Sequence, residues 1–557
     1  MKQNKTHYLL GTVVLLSVLL SSCAKDYSLT ELTAQEQSYN IQDDPVVKAL
    51  SAIPGISNIE LKYNDTRTDS AYFFSFTQPI DHYNPSLGTY QQQAALRFKG
   101  FDNHMVVYTH GYEMESDISS IRNTDMREQL NGNQLNIEHR YFGNSLPENQ
   151  ESLRFTYFNA DQQAHDIHAL CSALKPLFTG KWVSTGTSKD GITTALQAYY
   201  SDLYGWNDIN AYVPFCAPFL TGTDNQDGTH SPADITPGTY QNNVCGAGYP
   251  AGSTEAIGFE RLQKIPYYIC TNKAVRDASI KAFYASEPKH YMQIIQQYES
   301  KSSHSTGNLE KDLTAFALYN FLDFLFVKFS YVPYLQWSYL VPDPELLASG
   351  QATSADFAAY EQFITMDNEA LSDYLESREN INNYQQNGEH SDDYSYNYVY
   401  NPSQSTKEES LWDLLKNIRK NFSMPYYVQA YKELGIAACD FSVADGSYLT
   451  SKQAFDVTYD FTFTFPYQDF YPQDGGQLMK DFRKWCYTEN TQPILFVYAK
   501  NDPWTGGAPD EAAFQQNKII QMVVDPIAIH REMFKYRQLY ELSTEQTIIA
   551  FLNKYLK

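Results

Sequence analysis

The sequence predicts an α/β fold: a mainly parallel sheet, covered by helices, that a long helical insert splits into two parts. Two observations carry this expectation. Short apolar runs rich in Val, Ile, Tyr and Phe alternate with helical stretches from about residue 71 to residue 219, and the alternation resumes near residue 492. Strands separated by helices read as parallel units with both faces covered. Between the two blocks the rhythm changes, first to a loop vocabulary of Gly, Pro, Asp, Asn and Thr over residues 222–252 and then to helical patterns. A chain of 557 residues, 43% of them hydrophobic, has ample apolar surface to offset the entropy of ordering, which excludes a disordered chain.

In chain order, strands are expected at Tyr72–Thr77, Gln91–Phe98, His104–Thr109 and Gln134–Glu138. A helix follows over Asp161–Leu174, then a strand at Lys181–Thr185, a helix at Gly191–Tyr200 and a strand at Ile209–Val213. In the insert, the apolar run Phe321–Phe329 contains Asp323 and Lys328, which marks it as a buried cap helix rather than a membrane span. Ser405-Thr406-Lys407-Glu408 is a capping box that opens another helix, and residues 380–402 read as an exposed polar loop. Strands return at Gln492–Ala499 and Lys518–Val524, and a helix from Thr544 to Leu556 closes the chain. The expected organisation is a leader at 1–22, a tether and extension at 23–69, a first part of the α/β domain at 70–220, a mainly helical cap at 221–488 and a second part of the α/β domain at 489–557.

The first residues read as an address. Lys2 and Lys5 precede an apolar run from Tyr8 to Leu20, too short to span a bilayer and of signal-peptide length. It ends in Leu20-Ser21-Ser22-Cys23, which resembles a bacterial lipobox. That resemblance implies cleavage before Cys23, its acylation, and an extracytoplasmic lipoprotein, expected in the outer membrane on its periplasmic face or at the cell surface. Six further cysteines, Cys171, Cys216, Cys245, Cys270, Cys439 and Cys486, are an even number in an oxidising compartment and permit disulfides, with Cys245 and Cys270 the favoured pair on proximity. No cysteine or histidine spacing resembles a zinc site, so neither metal nor cofactor is expected. With 41 basic against 65 acidic residues the net charge is −24, which argues against nucleic acid as a partner.

A nucleophile candidate stands at Ser188. The strand Lys181–Thr185 runs into Gly186-Thr187-Ser188-Lys189-Asp190-Gly191 and then into a helix, the strand–turn–helix context of a nucleophile elbow. Such a turn wants Gly on both sides of the Ser. Gly186 fills the upstream place, while Asp190 stands where the downstream Gly is expected and Gly191 follows it. A serine hydroxyl needs a base, and on an α/β-hydrolase sheet the partners follow in the order Ser, acid, His. Of the histidines past the insert's midpoint, His390 sits in a polar loop and only His530 follows the resumed sheet. Asp502, just beyond the strand ending at Ala499, is the matching acid. The oxyanion hole should combine the backbone N–H of Lys189 with that of Tyr112 or Glu113, in the loop His110-Gly111-Tyr112-Glu113.

Four segments then carry a family resemblance: Phe76-Thr77-Gln78-Pro79-Ile80-Asp81-His82, Glu138-His139-Arg140-Tyr141-Phe142-Gly143, Gly186-Thr187-Ser188-Lys189 and Asn501-Asp502-Pro503-Trp504. Together they resemble the secreted tripeptidyl aminopeptidases of streptomycetes and, more distantly, the lysosomal prolyl carboxypeptidase and dipeptidyl peptidase group. The likeness covers roughly residues 70–220 and 490–557, with a helical cap in the corresponding place. It implies an α/β-hydrolase sheet split by a large cap, and a serine exopeptidase acting on peptides, often with proline at the scissile bond. Ser188, Asp502 and His530 would be its triad. Two positions depart from the family pattern: Asp190 replaces a Gly, and Ile527-Ala528-Ile529 stands where a Gly usually precedes the histidine.

Glu113 is a candidate for binding the free amino terminus of a peptide, the alternative being a solvated loop acid. Glu138 and Arg140 are expected to pair with each other and hold a strand end. Ser172-Ala173-Leu174-Lys175 matches a Ser-x-x-Lys pattern without its companion motif and reads as helix surface, and His165 and His168 read as a solvated face. Two rival functions remain: an esterase or lipase on the same sheet, and a catalytically inactive surface binding protein, for which Asp190 is the best argument.

Overall fold

The computed structural model describes residues 41–64, 69–118, 121–147, 155–218, 251–331, 337–366, 423–434, 447–458, 477–500, 502, 505, 508, 519–526, 528–530 and 541–557. The expected leader, lipobox, tether, His390, the Ser405–Glu408 capping box, Cys245 and Cys439 lie outside those residues. The chain forms two compact units, residues 1–52 and 53–557. In the first, the helix Pro45–Ser51 starts with Pro, whose missing N–H is no loss there, and Asp44 caps it by accepting from the Val46 and Val47 N–H groups.

Among the described residues the second unit has nine strands: β1 Ile56–Tyr63, β2 Ser70–Pro79, β3 Thr89–Arg97, β4 Met105–Thr109, β5 Asn133–Ile137, β6 Trp182–Thr187, β7 Ala211–Phe215, β8 Ile494–Ala499 and β9 Ile520–Asp525. They form one sheet in the order β1-β2-β3-β5-β4-β6-β7-β8-β9. The sheet is antiparallel from β1 through β3 to β5, and parallel from β5 through β4 and β6 to β9. The interchange of β4 and β5 sets the parallel part around β4 and β6. After β2, this is the strand order of an α/β hydrolase, with β1 added at the outer edge beside it. β4, β5, β7 and β8 are buried at every residue, and all but β5 are mainly apolar in sequence. Such runs fit strands covered on both faces.

One sheet face packs against the C-terminal helix Leu542–Leu556, whose Ile548, Phe551, Leu552 and Leu556 join Val106, Val183, Val213, Leu495 and Val497 in one core. The helices Ala160–Leu174 and Lys189–Tyr204 pack against each other, and the latter lies on β6 and β7. The helix Gln477–Thr488, just before β8, also docks here: Trp485 donates to Asp202 at 2.7 Å, and its ring and that of Phe482 meet Tyr199.

The insert has its own core. Helices Thr254–Thr271, Lys273–Ser286, Leu309–Tyr331, Ser354–Thr365 and Ser451–Thr458 bury Ile265, Val275, Phe316, Phe321, Tyr360 and Val457 together. Among the described residues no helix is long and apolar enough to cross a membrane. Cys270 is buried in this core, and Cys171 and Cys486 are buried elsewhere.

Candidate active site

The sheet order brings three separated chain positions to neighbouring strand ends. β6 ends at Thr187 and the helix Lys189–Tyr204 begins immediately, so Ser188 must turn the chain within one residue. It does so at φ 61°, ψ −124°, a region that a residue with a side chain enters only under strain. The turn is held because the Ser188 N–H donates to Phe215 O at 2.9 Å, at the end of β7, and the Ile192 N–H donates to Ser188 O. Two glycines permit the approach. A Cβ on Gly186 would lie 2.5 Å from the Asp190 carbonyl, and one on Gly191 would lie 2.7 Å from Phe215 O. The close downstream contact therefore falls on Gly191, one place later than the pattern expects.

Asp502 follows β8 in a turn closed by its own N–H to Ala499 O and by the Thr505 hydroxyl to the same carbonyl. Beyond β9, Asp525 organises the next loop by accepting from the Ala528 N–H at 2.8 Å and the Glu541 N–H at 2.8 Å. That loop carries His530, whose Nδ1 lies 2.7 Å from Asp502 Oδ2, both side chains being buried. Ala528 and Ile529, which precede His530 where the family pattern has Gly, are buried, and the imidazole still meets the carboxylate. The structure thus joins His530 to Asp502 and holds Ser188 at the next strand end but one. Cys216 lies between them in the sheet: it follows Phe215, its N–H donates to Val497 O, and its thiol lies in a cluster with Asp502 and His530. The three possible ligand atoms are all within 4.8 Å of one another, a mixed set of one sulfur, one carboxylate oxygen and one imidazole nitrogen.

The loop His110–Glu113, expected to supply one oxyanion donor, follows β4. Gly111 lies against the start of the helix after Ser188, so closely that a Cβ there would meet Lys189 Cγ at 2.8 Å and its carbonyl carbon at 2.9 Å. The Gly111 N–H donates to Asp190 Oδ1 at 2.6 Å, and the Tyr108 hydroxyl donates to Asp190 Oδ2 at 2.6 Å. Asp190 is thereby turned into the core beneath the loop. The Lys189 ammonium donates to Gly111 O and lies over the Tyr112 and Phe142 rings, and burial lowers its pKa to about 7 against the opposing pull of Asp190 and Glu433. As the first residue of its helix, Lys189 also presents a backbone N–H that has no acceptor within the helix. Glu113 presents its side chain at the surface of this loop, and the surrounding protein, with Glu115, raises its pKa.

The expected Glu138–Arg140 pair does not form, because each finds a better-placed partner. Arg140 makes a two-pronged ion pair with Asp166, at 2.7 and 2.8 Å, and donates to the Ile80 and Tyr157 carbonyls. Asp166 also meets His82 at 2.7 Å and accepts from the Tyr90 hydroxyl at 2.7 Å. The segments Phe76–His82 and Glu138–Gly143 therefore converge on one buried carboxylate. Sequence reasoning missed Asp166, although a charge beside the apolar residues Ile167, Leu170 and Leu174 of the same helix signals a buried partner. Glu138 instead serves the backbone, accepting from Met114 N, Asn144 N and the Ser145 hydroxyl. His168 stacks on Trp206 and pairs with Asp208, and Ser172 donates to the same Asp208, so both are surface fittings.

Residues 40–230 match the family model of the PS-10 peptidase S37 group. The chain is 32% identical over 187 residues to the prolyl tri/tetrapeptidyl aminopeptidase of Streptomyces mobaraensis, covering 33% of this chain and 36% of that protein. It is 23% identical over 322 residues to a putative serine protease of Caenorhabditis elegans, covering 54% of this chain and 60% of that one. The chain thus spans about a third and three fifths of the length of these curated relatives. Among solved structures, a putative lipase from Sulfolobus solfataricus covers 89% of this chain and 99% of its own at 11% identity and a TM-score of 0.31. An epoxide hydrolase from Vigna radiata gives 11% identity, the same coverage and a TM-score of 0.30.

Proposed function

We propose that this chain is a lipid-anchored, extracytoplasmic serine exopeptidase that releases tripeptides, or similarly short peptides, from the amino termini of peptide substrates, with a preference for proline at the cleaved bond. The observation that carries the reading is the 2.7 Å bond between His530 and Asp502 at the ends of β9 and β8, on the sheet that strains Ser188 into an elbow. In this mechanism His530 takes the proton of Ser188 as its oxygen attacks the scissile carbonyl, while Asp502 orients and stabilises the imidazolium. The N–H groups of Lys189 and Tyr112 stabilise the oxyanion. The intermediate collapses as His530 passes the proton to the leaving amine, and water resolves the acyl-enzyme by the same route. A fluorophosphonate probe tests it directly. Wild-type protein should label and Ser188→Ala should not, whereas label that survives the substitution rejects Ser188 as nucleophile.

Glu113 is the proposed ligand of the substrate's free amino terminus, supported by its place one residue after Tyr112. Glu113→Gln should raise KM about tenfold for peptides with a free amine and leave N-blocked peptides unchanged; an equal loss on both rejects that role. The anchor is Cys23, in the outer membrane, supported by Leu20-Ser21-Ser22-Cys23 after the short apolar run. Cys23→Ala should abolish incorporation of labelled palmitate and release the protein from the membrane fraction.

A further inference from the structure

The Gly111 backbone is gripped on both of its polar groups by two consecutive residues that follow the nucleophile. Its N–H donates to the Asp190 carboxylate at 2.6 Å, and its carbonyl accepts from the Lys189 ammonium. Both side chains are buried, with 2% and 6% of Lys189 and Asp190 exposed, so these charge-assisted bonds are shielded from water. The second oxygen of Asp190 is held by Tyr108 at the end of β4, which ties the grip to the sheet. A peptide group is planar and trans, so the Gly111 carbonyl and the Tyr112 N–H lie in one plane and point in opposite directions. Whatever fixes the carbonyl on one side therefore fixes the direction of the Tyr112 N–H on the other.

We propose that Lys189 and Asp190 are positioning residues for the oxyanion hole, holding the two peptide groups that flank Gly111 so that the Tyr112 N–H is aimed at the oxygen developing on the carbonyl that Ser188 attacks. The inference rests on the reading of Ser188 as nucleophile and deepens it. Lys189 then contributes twice, supplying one donor from its backbone and orienting the other with its side chain. Asp190, which replaces a family glycine, becomes an added support of the site and not an argument against catalysis. Its side chain is also separable from local packing. The hydroxyls of Thr109 and Thr194, which tie β4 to this helix, lie 2.7 Å apart beside the Asp190 carbonyl, one donating to that carbonyl and the other to its neighbour, and no Asp190 substitution removes these groups.

The test compares Asp190→Ala, Asp190→Asn and Lys189→Met with wild type in the full chain, measuring kcat per fluorophosphonate-titrated site, KM on a tripeptidyl p-nitroanilide, and Tm. A misaimed oxyanion donor lowers kcat by about 100-fold, so Asp190→Ala and Lys189→Met should show that loss with KM changed less than about threefold. Asp190→Asn keeps an acceptor for the Gly111 N–H and should recover most of the rate. Lys189→Met removes a buried ammonium and should hold or raise Tm while losing kcat, a split that a purely structural role would not produce. Unchanged kcat per site in Asp190→Ala and Lys189→Met overturns the proposal while leaving the nucleophile standing. A wild-type chain that takes no label at Ser188 overturns both.

Discussion

Glu138 is a carboxyl that the fold keeps protonated at neutral pH. Burial pushes its pKa up to about 8, against the pull of the Ser145 hydroxyl and the Met114 and Asn144 N–H groups that it accepts from. The unfolded chain releases this proton near the ordinary carboxyl value, so between about pH 4.5 and 8 the folded state holds a proton that the unfolded state does not. Stability from this group is full below that window and is lost as pH rises through it. Glu138→Gln cannot titrate and leaves one N–H short of an acceptor. The variant should therefore be less stable than wild type by a few kcal/mol at pH 5, with the gap narrowing toward pH 8. Urea unfolding at both pH values checks this, and a gap that widens with pH would reverse the assignment. Asp166 gives the contrasting case of a buried charge that is fully used, since Arg140, His82 and Tyr90 all address it. Asp166→Ala strands Arg140 in the core and should cost about 3–5 kcal/mol, read as a lowered urea midpoint.

The elbow is an element whose parts explain one another. Gly186 has no side chain because the first turn of the next helix passes behind it, 2.5 Å from where a Cβ would stand. Gly186→Ala must push that turn away, and Ser188 with it. It should lower kcat per titrated site by at least tenfold together with Tm, whereas Gly205→Ala, at a helix end with open space but φ 70°, should lower Tm alone. Elements of this kind were legible in the sequence because strand, glycine, serine and helix follow each other within a few residues. Eight of the nine described strands could be read in a similar way, from short runs set between turn and helix signals, as could the helices Ala160–Leu174, Lys189–Tyr204 and Leu542–Leu556, whereas Gln477–Thr488 was not foreseen. β1 escaped notice: its exposed, mixed pattern Ile56–Tyr63 pairs with β2 along an edge and needs little apolar signal. The network around Asp166 was illegible for a different reason. Its members come from residues 82, 90, 140 and 166, and only the closed sheet shows that Arg140 reaches past Glu138 to a helix. The same holds for Asp190, whose partners Tyr108 and Gly111 lie on another strand and its loop.

At the scale of the whole molecule, an insert over a sheet needs a point where the two are fastened, or the cleft between them has no fixed shape. The short helical segment 423–434, far along the insert, supplies one. Its Lys432 is buried and donates to the carbonyls of Phe155, Thr156 and Phe158, and Glu433 accepts from the Ala160 N–H at the start of the helix Ala160–Leu174. Tyr426, in the same segment, meets the ring of Tyr112 in the loop after β4 at 5.8 Å. A cation that satisfies three carbonyls, next to a carboxylate that caps a helix start, makes a polar clasp whose halves come from sequence positions about 275 residues apart. Lys432→Met keeps the length of the side chain and removes all three bonds, leaving buried carbonyls without this donor. The expected result is local: faster proteolytic nicking within the insert, and a KM for peptide substrates raised several-fold through the loosened Tyr426 contact. The titrated-site kcat should change less than about threefold, because Ser188, Asp502 and His530 are carried by the sheet and its strand-end loops. Limited proteolysis in parallel with steady-state kinetics separates the outcomes. If Lys432→Met leaves nicking and KM as they are, the clasp does not set the cleft, and the insert must be held by its own core alone.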